Sequence, residues 1–178
     1  MLKRILVTID QSAASQQAFD MALELAKALS AELLLVHTLD VFDPAAPICP
    51  QIAADSYSLE LSRLAREAYE QEWVEFAQHY EALLAQKQET AEAIGVRASG
   101  SQPYGRPGPA ICQTAVDQHA DLIVVGSHGR KGLREMLLGS VSNYIVHHAP
   151  CSVTVVHPDG GRASALSQQA SQRPIALA

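Results

Sequence analysis

Apolar positions in this chain come in blocks rather than singly. Four short runs, Ile5-Leu6-Val7-Thr8-Ile9, Leu33-Leu34-Leu35-Val36, Leu122-Ile123-Val124-Val125 and Val153-Thr154-Val155-Val156, are continuously apolar or nearly so. Unbroken runs of this length predict strands buried on both faces of a parallel sheet, where no side chain needs to meet water. Between them the period changes. Ala18, Met21, Ala22, Leu25 and Leu29 form a helical stripe, and Ser12 is placed to cap it. Ile111, Ala115 and Val116 mark a later helix, and Leu137, Val141, Tyr144, Ile145 and His148 another. Parallel strands need crossovers, so this alternation predicts a doubly wound α/β domain over residues 1–158.

The second crossover is long. Residues 41–55 contain Pro44, Pro47 and Pro50 and read as a loop. A helix of about 35 residues is expected from Ser56 to Glu92. On it Tyr69, Trp73, Phe76, Tyr80 and Leu83 fall on one seam, either a partner groove or, the plainer expectation, a stripe buried on the sheet. Val96 and Ala98 make a weak, half-polar strand suited to a sheet edge. Residues 159–178 are rich in Gly, Ser, Ala and Gln and read as a mobile tail.

Composition narrows the function. Thirteen Lys and Arg against 19 Asp and Glu give a net charge of −6, a poor match to a nucleic-acid backbone. The chain has 3 cysteines, Cys49, Cys112 and Cys151, with neither disulfide nor zinc spacing, and they read as small buried residues in a reducing compartment. No run approaches a membrane span and none resembles a signal peptide, so a cytoplasmic protein is expected.

In an open α/β sheet, ligands bind beyond the carboxyl ends of the strands, where the winding reverses. That draws attention to Asp10 after the first strand, to His37 and Thr38 after the second, and to residues 126–143, GSHGRKGLREMLLGSVSN. In this last segment Gly126, Gly129, Gly132 and Gly139 let a ligand approach bare backbone. Arg130, Lys131 and Arg134 make it locally basic, and Gly139-Ser140 opens a helix whose first amides suit an anion. A nucleotide or other phosphate ligand is the chemistry these features share. The Walker GxxxxGK[ST] pattern, a GxGxxG after the first strand and the GxSxG elbow are all absent.

Gly126-x-x-Gly129-x9-Gly139-Ser140 resembles the G-2x-G-9x-G-(S/T) pattern of the ATP-binding branch of the universal stress protein family. KRILVTIDQSAAS, ELLLVHTLD, Gly105-Arg-Pro107-x-x-x-Ile111, ADLIVVGSHGR and APCSVTVV are similar to other segments of that family. The resemblance implies a five-stranded parallel sheet of order 3-2-1-4-5 with helices on both faces, of the adenine nucleotide alpha hydrolase-like kind. It implies ATP, with Mg²⁺ on the phosphates, as the ligand. Asp10 would then border adenine and ribose, and the turn near Thr38 would meet the base. Gly126, Gly129 and Arg130 would wrap ribose and phosphates, while Gly139, Ser140, Val141 and Ser142 hold the phosphate tail. It also implies a homodimer through the last strand, Cys151 to Val156.

Several residues have a second reading. Asp10 could cap the following helix, His128 could order its loop, and His37 could be a satisfied core histidine. His147 and His148 suit the negative end of a helix, and Cys151 suits packing. The proline-rich loop could close over a nucleotide or block its entrance. With no general base evident beside the glycine segment, the expected function is a nucleotide-dependent stress-response switch rather than a high-turnover enzyme. The rivals are a slow ATP hydrolase or ATP-using transferase on the same scaffold, self-phosphorylation at Ser140 or Ser142, and a nucleotide-free interaction module.

Overall fold

The computed structural model describes residues 2–50, 59–128 and 138–158 of the chain. Five parallel strands, β1 (Arg4–Thr8), β2 (Glu32–Val36), β3 (Ala98–Ser101), β4 (Leu122–Gly126) and β5 (Ser152–Val156), alternate with helices α1 (Ala13–Leu29), α2 (Leu59–Ala93), α3 (Pro107–Asp117) and α4 (Ser140–His148). The sheet order is β3-β2-β1-β4-β5, as expected. The chain steps from β1 outward to β3, then returns to lay β4 against the free side of β1. The ends of β1 and β4 therefore flank the point of reversal.

The apolar runs resolve into two faces. Ile5, Val7, Leu33, Leu35, Leu122 and Val124 pack with Phe19 and the alanines of α1 and with Leu84 and Ala91 of α2. Leu6, Leu34, Val36, Ile123 and Val125 pack with Ile111, Cys112 and Ala115 of α3 and Ile145 of α4. A period of two inside an unbroken apolar run is what a strand covered on both sides requires.

Ser12 caps α1, its hydroxyl accepting from the Ser15 amide at 3.1 Å. The face that α1 buries differs from the expected stripe. Met21 and Leu29 are exposed, while Ala14, Ala18, Phe19, Ala22 and Ala26 are buried. Alanine marks this face because it lets the helix approach the sheet closely. A Cβ at Gly126 would stand 2.9 Å from both the carbonyl carbon and the Cβ of Ala14. Gly126→Ala is accordingly expected to destabilise the fold by about 1–3 kcal/mol, because helix backbone must give way; urea unfolding of the variant checks it.

Elsewhere on the chain, α2 ends one residue past its expected Glu92, and its expected start at Ser56 lies outside the described residues. Its seam reaches the sheet only in part: Phe76 and Tyr80 are buried against Leu39 and Ala46 of the loop after β2, and Leu84 and Ala91 reach the sheet. Leu61 and Leu64, nearer its start, are exposed. In α3, Ile111 and Ala115 are buried but Val116 is exposed, and Gly108 lies so close to Tyr144 that a Cβ would meet its ring at 2.6 Å. The β3 strand begins at Ala98, so Val96 is a buried residue just ahead of it. Cys49 is exposed, against expectation, because the loop carrying it runs over the surface. Leu137 and the tail, 159–178, lie outside the described residues.

Candidate functional site

Beyond the carboxyl ends of β1, β2 and β4 lies a cavity of about 970 Å³. Asp10, Thr38, Gly126, Gly139, Ser140, Val141 and Ser142 all line it, as do His37 and His128. Gly129 and Arg130 lie outside the described residues. Distant positions meet here because parallel strands deliver their following turns to one edge of the sheet.

Each residue reaches the cavity through a local device. The Asp10 amide donates to Ser15 Oγ at 2.8 Å, and the Ser12 amide donates to Asp10 Oδ1 at 2.7 Å. The carboxylate thus orders the β1–α1 turn and also lines the cavity, so its two readings coexist. His37 is buried, with Nδ1 donating to the Ile9 carbonyl at 2.8 Å and its ring stacked on Tyr80 at 3.6 Å. That is a core position, on a residue that also forms part of the wall. His128 packs beside Ser127, with Nδ1 3.2 Å from Ser127 Oγ.

The far side of the cavity is a helix start. Gly139 is the N-cap of α4, with extended φ of −72° and no capping side chain. Its amide donates to the Ser127 carbonyl at 2.7 Å. Ser142 is buried, and its hydroxyl donates to the same carbonyl at 2.9 Å. That hydroxyl ties α4 to the end of β4, so Ser142 offers a ligand its backbone rather than its side chain. Ser140 is exposed at the first helical position. Early amides with no capping side chain carry partial positive charge, the feature that makes a helix start attractive to an anion. The glycine at 126 has a different reason, since its missing Cβ makes room for α1 rather than for a ligand.

The loop after β2 supplies a wall that the sequence reading left undecided. Asp40, Phe42, Asp43 and Pro44 line the cavity, as do Arg106, Pro107 and Ile111 from the start of α3. Of the proline-rich loop, Phe42, Asp43 and Pro44 stand at the cavity wall, while Ala45 and Pro47 line a smaller cavity; 51–58 lie outside the described residues. Arg106 escapes the sequence pattern because β3 is too polar to mark a strand end clearly, and Phe42 because no periodicity fixes the path of the loop after β2. Gly105-Arg-Pro107 directly after that weak strand was the available signal.

A smaller cavity of about 360 Å³ lies against α2, lined by residues including Gln11, Glu72, Glu75, Phe76 and His79. It contains none of the glycine-segment residues. At the distant end of α4, His148 Nδ1 donates to the Tyr144 carbonyl at 2.9 Å, the capping role expected of it. Burial pushes the Cys112 and Cys151 thiols up, which suits packing rather than nucleophilic chemistry. Among the described residues, no group of three or more His, Cys, Asp or Glu is placed to hold a metal ion. No described helix is long and apolar enough to cross a membrane.

The sequence model of the universal stress protein family matches residues 1–157, the whole sheet and the cavity with it. The chain belongs to the universal stress protein family. A universal stress protein of Synechocystis sp. is 43% identical over 95 residues, 53% of this chain and 88% of that protein. A second from the same organism is 31% identical over 153 residues, 86% of this chain and 96% of its own. Among solved structures, the universal stress protein UspA from Lactobacillus plantarum superposes with a TM-score of 0.67 at 27% identity, covering 87% of this chain and 97% of that one. Others share the fold at lower identity. One in complex with cAMP has a TM-score of 0.58 at 24% identity, covering 89% and 98% of the two chains. One from Arabidopsis thaliana with AMP bound has a TM-score of 0.56 at 19% identity, covering 98% and 97%.

Proposed function

We propose that this universal stress protein binds ATP, with Mg²⁺ on its phosphates, in the cavity beyond the ends of β1, β2 and β4, and works as a homodimeric nucleotide-dependent switch in the cytoplasm. One observation carries the reading: every expected binding residue among those described lines a single cavity, which ends on the uncapped start of α4. The volume lies within the range of small-molecule sites. Its chemistry is divided in a way that suits a nucleotide. Helix amides and Ser140 stand at one wall for phosphate, while Ile9, Val36, Pro107 and Ile111 give apolar surface for a flat base. By the resemblance, Gly129 of the glycine pattern and the neighbouring Arg130 would serve the phosphates; both lie outside the described residues. That members of the fold have been solved with cAMP and AMP favours adenine.

Mg²⁺ fits this arrangement, since it retains several waters and draws ligands from phosphate oxygens, so a dedicated protein cage is not required. When bound it neutralises phosphate charge. Dimerisation is supported by β5. This strand ends the sheet, its outer edge is partly exposed, and SVTVV has neither proline nor charge to discourage pairing.

Calorimetric titration of nucleotide-free protein with ATP, with and without Mg²⁺, tests the reading. Saturable binding near one ATP per chain is expected, together with a sedimentation mass twice that of one chain. Folded protein that takes up no ATP would sink the nucleotide reading, and a monomer would sink the dimer.

A further inference from the structure

The loops after β2 and β3 are joined beyond the end of the sheet. The Leu39 amide donates to the Pro103 carbonyl at 3.0 Å, and the Gly105 amide returns to the Leu39 carbonyl at 3.1 Å. The joint makes an isolated parallel bridge between Leu39 and Tyr104. It sets two side chains against each other over the cavity. The Arg106 guanidinium carbon stands 4.2 Å from the centroid of the Phe42 ring. Phe42 is 68% exposed, so burial in the core does not account for its position. The turn that carries it is held in place: Asp40 is buried and its Oδ1 accepts from the Phe42 amide at 3.1 Å.

We propose that Arg106 and Phe42 form a stacking platform for the base of the bound nucleotide, and that this pair is a positioning element of the site. The inference rests on the ATP reading above and adds the residues that would grip the base. Arg106 is the one Lys or Arg among the described residues lining the cavity. Its neighbours on the wall, Pro107, Ile111 and Phe42, offer apolar surface rather than phosphate partners. Guanidinium and phenyl both present flat faces, and both attract a purine ring, the first through cation–π contact and the second through stacking. Stacked on each other, they leave an outward flat face on which any purine adds to the stack without its hydrogen-bonding edge being read. Discrimination of adenine from guanine therefore falls to groups other than this pair.

Calorimetry on Phe42→Ala, Arg106→Gln and wild type, with ATP at several salt concentrations, tests the platform. Losing one face of a stacked base weakens binding roughly tenfold in comparable systems. The expected result is a loss of about that size in each variant, with Phe42→Ala leaving the salt dependence of ATP binding unchanged. Tighter or unchanged binding by Phe42→Ala overturns the proposal, because a guanidinium merely parked on the ring and destined for phosphate would be released by that change. Wild type that binds no ATP removes the nucleotide reading itself. Wild type that binds with both variants equal to it leaves the nucleotide reading intact and removes only the platform. Urea unfolding of each variant establishes that it is folded, which exposure of both side chains leads us to expect.

Discussion

Tyr80→Ala is expected to destabilise the protein by about 3–5 kcal/mol, the range for removing a large buried aromatic. Tyr80 is 1% exposed. Its ring lies 9° from parallel with His37 at 3.6 Å and meets Phe76 edge-on at 5.2 Å. With Leu39 and Ala46, Tyr80 and Phe76 form a cluster beside the two that cover the sheet faces. This cluster holds the middle of a 35-residue helix to the end of β2, and α2 has few other buried residues there. The loss should reach the site as well. His37 lines the cavity beyond the strand ends and its Nδ1 holds the Ile9 carbonyl, one residue before Asp10. Without the Tyr80 ring the imidazole loses its packing partner, and the turn bearing Asp10 loses a support. Denaturant unfolding measures the first effect and ATP titration the second. Tyr80→Phe keeps the ring and removes only the hydroxyl, so it should cost about the 0.5–1.5 kcal/mol of a hydrogen bond, well below Tyr80→Ala. A change below 1 kcal/mol for Tyr80→Ala would mean that the aromatic cluster is an ornament on α2 rather than its attachment.

That cluster also marks where sequence reading stops. The seam from Tyr69 to Leu83 was legible as a stripe, since helical spacing is a local property. Its partner was not, because Leu39 and Ala46 belong to a loop whose path no periodicity reports. The strands were legible for the opposite reason: a doubly covered strand must be apolar throughout, so Leu33 to Val36 stands out however it is turned. The same uniformity hid which of these residues faces which helix layer. In α1 the apolar stripe misled, because the closest contact with the sheet is made by alanines, and Met21 and Leu29 are large but outward. The cavity was legible through topology, since a reversal between β1 and β4 must bring Asp10 and the end of β4 together. Arg106 was not, because ASGS has too little apolar content to announce that a strand had ended there.

Ser140→Asp is expected to weaken ATP binding by about a hundredfold while leaving the fold at least as stable as before. Ser140 is the first residue of α4, exposed, and preceded by a cap that has no side chain. An acid in the first turn of a helix is favourable by about 0.3–1 kcal/mol, because it faces the partial positive charge of unpaired amides. A phosphate drawn to the same amides would meet that carboxylate. Two unit charges 4 Å apart repel by about 4 kcal/mol at the effective dielectric of a protein surface. Screening and side-chain rotation will relieve part of this, and a hundredfold loss corresponds to about 2.7 kcal/mol. Ser140→Ala removes only one hydroxyl and should cost less than tenfold, since a neutral hydrogen bond contributes about 0.5–1.5 kcal/mol. Adenosine, which lacks phosphate, should bind Ser140→Asp as it binds wild type. Opposite signs for stability and affinity in one variant cannot arise from misfolding, so the pair of measurements isolates the anion site. If Ser140→Asp holds ATP as tightly as wild type, the start of α4 does not carry the phosphates, and the feature on which the nucleotide reading chiefly rests is gone.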